Sequence, residues 1–198
     1  SVGTYMLLTG VYMLYFGNFC SLPGMVQQGD LDLYLVKPIS LQFYVTLRRL
    51  DFSLLLPEMV AGCAMIAVGW KRAGLPVGLV PVGGFLFYLF CGCLLTYSLF
   101  LLPYLISFWT VSLGGIADIS NALWDFNNMP SLIYGRRLRD LGTYVLPIFV
   151  ITNYPGRFLM GELSTGACIW GAAAPVVFFV IARLLWRVAL ARYSSASS

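Results

Sequence analysis

Residues Pro23 to Ser40 read PGMVQQGDLDLYLVKPIS and form the longest polar island in an otherwise lipid-soluble chain. On one side lies the uncharged run Ser1 to Cys20, on the other the apolar run Phe52 to Trp70. A helix-forming segment that carries Asp30 and Asp32, is closed by Lys37-Pro38 and sits between two membrane-length runs predicts a short helix over residues 24–36. Such a helix lies across the ends of the spans and gives a membrane domain a place to meet a soluble partner.

Outward from that island, composition sets the class. The 198 residues are 60% hydrophobic and only 10% charged, and several runs exceed the roughly 20 apolar residues that cross a bilayer. This is the profile of an all-α integral membrane protein. The first run has no basic flank and continues to residue 22, unlike a cleavable signal peptide, and no Ser- or Pro-rich linker marks a second domain. Residues 1–198 therefore read as a single membrane domain. The net charge of +4 comes from arginines flanking apolar runs, where they set orientation, so nucleic acid is not an expected partner; the lipid bilayer is.

Hydropathy places spans at about 4–22, 51–70, 80–105, 141–159 and 167–187. With residues 23–50 on the cytosolic side, 106–140 and the tail after 183 are cytosolic too, and nine of the twelve basic residues lie inside. This ordering puts the amino terminus outside, with no charge to anchor it and no initiator Met; five spans then stand where an upstream helix would make six. Between the third and fourth runs, Ile116, Ile119, Leu123 and Phe126 form one stripe at helical spacing, and Asp118, Asn121, Asp125 and Asn128 a polar one. That pattern reads as an interfacial helix, either a solvated connector or the lining of a groove.

No chemistry is expected at this chain. The five cysteines lie in or beside apolar runs and lack zinc or thioredoxin spacing, and there is no His, so no metal site or catalytic residue is expected. No G-x-x-x-x-G-K-[ST] phosphate loop occurs, so no nucleotide cofactor is expected on this chain.

Gln28-Gly29-Asp30-Leu31-Asp32 followed by Leu35-Val36-Lys37-Pro38 resembles the "G-[ED]-L-D-x-x-L-x-[KR]-P" signature of the bacterial ABC-2 type transporter permeases, in their uncharacterised export branch. Phe108-Trp109-Thr110 is similar to that branch's Phe-Trp element, and Met129 to Tyr134 to its "Y-P-L-S-I-Y" element with Met for Tyr. Leu146-Pro147, Asn153-Tyr154-Pro155 and Leu159-Met160-Gly161 resemble its "P-x-x-x-x-N-x-x-P-x-x-x-L-x-G" run.

The resemblance implies an ABC-2 type, type V exporter-like helical bundle in the bacterial inner membrane, with a cytosolic carboxyl terminus and a cytosolic coupling helix. Its usual first helix is missing here. It implies a permease that is not an enzyme, that pairs with a second copy or a sister permease, and that exports a hydrophobic or amphiphilic substrate using separate ATP-binding cassette subunits. In that picture Gln28, Gly29, Asp30, Leu31, Asp32, Leu35, Lys37 and Pro38 dock the ATPase, with Asp30, Asp32 and Lys37 supplying charge and Leu31 and Leu35 apolar contact. A membrane scaffold or sensor without transport, and a lipid-modifying enzyme, are the alternatives.

Five further residues are candidates for a pathway or gate. Glu58 is the one acid well inside an apolar run, directly after Pro57, and a charge at the bilayer centre costs about 2.5 to 3.5 kcal/mol. Snorkelling or a helix–helix hydrogen bond is one reading of it, and substrate passage the other. Asp118 and Asp125 stand seven residues apart on the interfacial helix. Tyr154 and Pro155 belong to Asn153-Tyr154-Pro155-Gly156-Arg157, which reads as a break in the fifth-run helix, where the family places a segment closing the outer end, or as an ordinary helix end with a belt Tyr.

Overall fold

The computed structural model describes residues 2–35, 40–50, 52–110, 115–129 and 131–196, and these are helical almost throughout. The first helix, α1 (Val2–Gln28), is followed by a single turn α2 (Asp32–Leu35), a short α3 (Leu41–Leu47), and then α4 (Phe52–Arg72) and α5 (Leu79–Leu105). Beyond the 3₁₀ turn Ile106–Phe108 come α6 (Ile116–Asp125), two more 3₁₀ turns, and α7 (Arg136–Asp140), which runs on as a π-helical turn Leu141–Val145. The chain closes with α8 (Ile148–Leu159) and α9 (Thr165–Ala196). Among the described residues α1, α4, α5 and α9 are the helices long and apolar enough to cross a membrane.

The hub of the bundle is α5, on which α1, α8 and α9 all pack. Contact is closest where α5 lacks side chains. A Cβ built on Gly92 would lie 2.7 Å from the backbone O of Ile151, and one on Gly84 would lie inside the ring of Phe158. These two notches seat α8 antiparallel to α5, with Tyr154 packed against Tyr88 at 6.1 Å between ring centres. By contrast α4 packs chiefly on α1 and buries only Leu55 and Gly62, leaving Leu54, Leu56, Val60 and Val68 exposed.

The fifth hydropathy run is not one span. Pro147 has no N–H and disfavours helical backbone at Leu146, which takes φ −119 and ψ 85 and stops the π turn. The helix restarts as α8, whose 12 residues rise about 18 Å, short of a bilayer core of about 30 Å. Gly142 faces the ring of Phe149 across this corner, so α7 with its π turn and α8 form a helical hairpin. Trp170 Nε1 near the start of α9 donates to Thr143 O at 2.7 Å and ties the hairpin to that end of the bundle. The expected break at Tyr154-Pro155 is absent, since α8 runs through Pro155, which is buried.

Residues 116–140 are likewise not a connector outside the bundle. Trp124 of α6 stacks on Tyr12, midway along α1, with ring centres 4.4 Å apart and planes 4° from parallel, and meets Phe100 of α5 edge-on at 5.4 Å. Moreover Arg139 on α7 lines one cavity with Arg157 and Ser164, at the end where α4 stops and α9 begins. Arg136, Arg137 and Arg139 thus join Lys71, Arg72 and Arg157, opposite Arg48, Arg49, Arg183, Arg187 and Arg192. The described basic residues are split almost evenly between the two ends, and the charge asymmetry expected from the sequence is lost.

Candidate functional site

The polar island builds a pinned corner rather than a separate helix over residues 24–36. First, α1 continues through Pro23 to Gln28 and stops at Gly29, whose φ of +75 is the left-handed conformation that favours glycine. Asp30 N then donates back to Met25 O at 3.1 Å, which satisfies an end carbonyl of α1, and Asp32 N donates to Gly29 O at 3.1 Å. Between those turns Leu31 is fully buried among Phe19, Leu22, Leu105 and Tyr193. Expected as an apolar contact for a partner, Leu31 instead nails the corner to its own bundle. Asp32 and Gln28 are exposed, Asp30 is half-buried, and Tyr193 of α9 shares a hydrogen bond with Asp32. Leu35 ends α2, and Lys37 and Pro38 lie outside the described residues.

What this corner offers a partner is Leu33 and, on α3, Phe43, 66% and 60% exposed. Sequence reasoning missed both, because an apolar residue in an amphipathic segment looks like core until its neighbours are known. Ser40 caps α3, its Oγ accepting from Phe43 N at 3.3 Å, and turns Leu41 and Val45 inward and Phe43 outward. Beside it the rings of Tyr34 and Tyr44 stack at 4.1 Å, and their hydrogen bond holds the Tyr44 hydroxyl above its ordinary pKa of 10.

Two polar contacts lock α3 into the bundle. Asn18, buried near the end of the first apolar run, donates to Thr46 O at 2.9 Å and Arg49 O at 2.7 Å and accepts from Arg49 N at 3.1 Å, fastening the α3–α4 corner to α1. Gln42 Nε2 donates to Tyr97 Oη of α5 at 2.8 Å, and its Oε1 accepts from Arg183 of α9. Arg183 is thus bonded inside the bundle rather than serving as a simple anchor at its end. An Asn in an uncharged run was the signal available for the first contact; the second has none in the sequence.

The remaining candidates fall at separate interfaces. Glu58 is half-buried where α4 crosses α1, with its Cβ 3.2 Å from where a Cβ on Gly10 would stand, and no described residue gives it a hydrogen-bond partner. Helix α4 runs unbroken through Pro57. Asp118 lies in the first turn of α6, where a carboxylate complements the helix dipole, and Asp125 is exposed at its end. The buried line of α6 is Ile116, Ser120 and Trp124, whereas Ile119 and Leu123 border an apolar cavity; this differs from the stripe read at helical spacing. Tyr154 and Pro155 are buried in α8 against α5 and α9, Tyr154 also bordering the Arg139 cavity.

The described residues thus form an apolar helical bundle with a helical hairpin at one end and a pinned, apolar-tipped corner at the other. The family model described as ABC-2 family transporter protein matches residues 1–197, and the chain belongs to that family of ABC-transporter membrane subunits. No curated protein and no solved structure matches it.

Proposed function

We propose that this chain is the membrane half of an exporter driven by ATP-binding cassette subunits on separate chains, paired with a second copy or a sister permease in the bacterial inner membrane. The ATPase docks on the α3 end, which is then cytosolic together with the carboxyl terminus. The observation that carries this reading is the corner itself: Leu31 anchors it, while Leu33 and Phe43 project from it beside Asp32 and Gln28. A buried anchor with exposed apolar tips transmits a push from a soluble domain into α1, α5 and α9 through Asn18, Gln42 and Arg183. Within this reading Leu33 and Phe43 take the apolar role that Leu31 cannot, Asp30 and Asp32 keep the charged one, and the cargo is hydrophobic or amphiphilic.

The test is Leu33→Glu with Phe43→Glu, both on exposed positions. The pair leaves melting of the purified permease within about 0.5 kcal/mol of wild type, but ATPase subunits no longer co-purify and ATP-dependent transport stops. Retained co-purification and transport would sink the docking assignment, and ATPase binding without any ATP-dependent transport in the wild type would favour a scaffold or sensor.

Orientation has its own test. Once background cysteines are removed, Leu138→Cys, on exposed α7, reacts with an impermeant thiol reagent in intact cells as Gly74→Cys does, while Ala191→Cys stays shielded. Labelling at Leu138 that follows Ala191 would restore the connector topology.

A further inference from the structure

Three cavities lie in a row along the helical hairpin. At the α7 end a cavity of about 360 Å³ is walled by Arg139, Asp140, Arg157 and Glu162, with Tyr144 and Tyr154 beside them. Phe149 borders this cavity and also a small apolar one of about 70 Å³ under Leu141 and Gly142. That second space shares Leu123, Leu146 and Ile148 with an apolar groove of about 280 Å³ between α5 and α6. The three cavities therefore lie in line from a charged chamber, across the buried ring of Phe149 that separates it from the second space, to a trough lined by Leu99, Phe100, Ile116 and Ile119.

The charged chamber has unused bonding capacity. Arg157 and Glu162 form an ion pair, Nε 3.7 Å from Oε2, and Arg157 donates through Nη2 to the Glu162 backbone O at 3.3 Å, while its Nε, shut off from solvent, has no hydrogen bond. No hydrogen bond or ion pair occupies the Arg139 guanidinium or the Asp140 carboxylate among the described residues. Two guanidiniums offer forked donors suited to a phosphate, and two carboxylates with tyrosine ring faces suit an ammonium. Walls carrying two charges of each sign favour a zwitterion over a headgroup with net charge, which would leave one pair facing its own sign.

We propose that this row of cavities is a binding site for an amphiphile with a zwitterionic phosphate–ammonium headgroup, the head held by Arg139, Arg157, Asp140 and Glu162 and the chain laid past Phe149 along Leu146 and Ile148. As the seat of the transported cargo it rests on the exporter reading above; as a binding site it stands alone, and binding is what the experiment reads. The full chain in maltoside micelles is titrated with radiolabelled lysophosphatidylcholine and with lysophosphatidylglycerol, which has the same chain and a net negative head.

Wild type binds the zwitterionic lipid saturably and at least about tenfold more tightly than the anionic one, a difference of one decade in Kd. Arg139→Gln weakens lysophosphatidylcholine by about the same factor, while Asp140→Asn with Glu162→Gln turns the preference toward lysophosphatidylglycerol. Equal affinity for the two lipids in wild type, or an unchanged Kd in Arg139→Gln, would overturn the proposal. Should Arg139→Gln lower melting, the lipid preference of the carboxylate pair still decides, because a ratio of two affinities on one preparation does not depend on the fraction folded. Loss of transport with lipid binding intact would count against the exporter reading and leave this site standing.

Discussion

Helix α4 and the hairpin of α7 and α8 come from stretches that look alike in the sequence, each about a span long, apolar, with one or two prolines and a few charges, yet they fold in opposite ways. Helix α4 runs straight through Pro57 and lies on the bundle with little but α1 beneath it. The other stretch bends at Leu146-Pro147, and its second arm is wedged against α5 and α9 with Ile148 to Pro155 continuously buried. A proline therefore does not decide the break. The stretch folds back where its neighbours have cut space for it, at Gly84 and Gly92 on α5 and Gly171 on α9, and where Trp170 supplies a donor to Thr143 O. Helix α4 meets glycines too, at Gly3 and Gly10 on α1 and through its own Gly62, but only on the side that faces α1, so it keeps its helix and presents the rest of its apolar surface outward.

The sharpest way to break that contrast is to make one substitution in both places. Gly92→Ala puts a Cβ 2.7 Å from the Ile151 carbonyl, so α8 has to shift, and the purified chain loses about 1 to 3 kcal/mol. Gly69→Ala on α4 meets nothing within 4 Å and removes only the backbone entropy cost of a helical glycine, so it stabilises by about 0.5 to 1 kcal/mol. Opposite signs in detergent melting are the expected result. A neutral Gly92→Ala would mean that the hairpin does not sit in the α5 notch.

That pair also marks what could be read from residues alone. Four spans were legible, because α1, α4, α5 and α9 are long, apolar and need no partner to declare themselves. The corner after Gln28 was not, since the segment read as one helix over 24–36, although Gly29 and its neighbours close the turn with local backbone bonds. Nor was the hairpin: the α5 glycines that accommodate α8 lie more than fifty residues before it, and a hydropathy window averages its two arms into one span. The same averaging sent the arginines of α7 to the wrong end. Leu31 and Leu33 illustrate the limit at the docking corner, where two leucines one residue apart in one motif are 0% and 66% exposed. Only the tertiary seat on Leu22, Leu105 and Tyr193 distinguishes them.

The second test concerns how α4 is held, given how little of it is buried. Asn18 satisfies Thr46 O, Arg49 O and Arg49 N at the corner where α4 is launched. Asn18→Leu keeps the volume but leaves the buried Thr46 O and the part-buried Arg49 groups without their partner, and costs about 1 to 3 kcal/mol. Because α3 carries the proposed docking face, the variant also weakens ATPase co-purification. An unchanged melt would show that water replaces the amide and that α4 is anchored by its contact with α1 alone.

The smallest effect is expected at Glu58, and it separates a lipid-facing α4 from one that borders a pathway. The residue sits half-buried at the α1 crossing, its stem close over Gly10, and no described group bonds its carboxylate. A side chain that packs by its stem and leaves its head unpartnered loses little when the head becomes an amide, since Gln has the same length and shape. Glu58→Gln is therefore expected to alter melting by less than about 0.5 kcal/mol and to leave ATP-dependent transport equal to wild type at equal expression. Glu58→Leu removes the polar head as well and keeps an apolar stem over Gly10; a modest gain in detergent stability with unchanged transport is the expected outcome. Were both variants to change transport while ATPase assembly and melting stayed at wild-type values, the carboxylate would be facing the substrate. In that case the open side of α4 would be a wall of the pathway rather than a surface against lipid, and the contrast with the hairpin would become one between two walls.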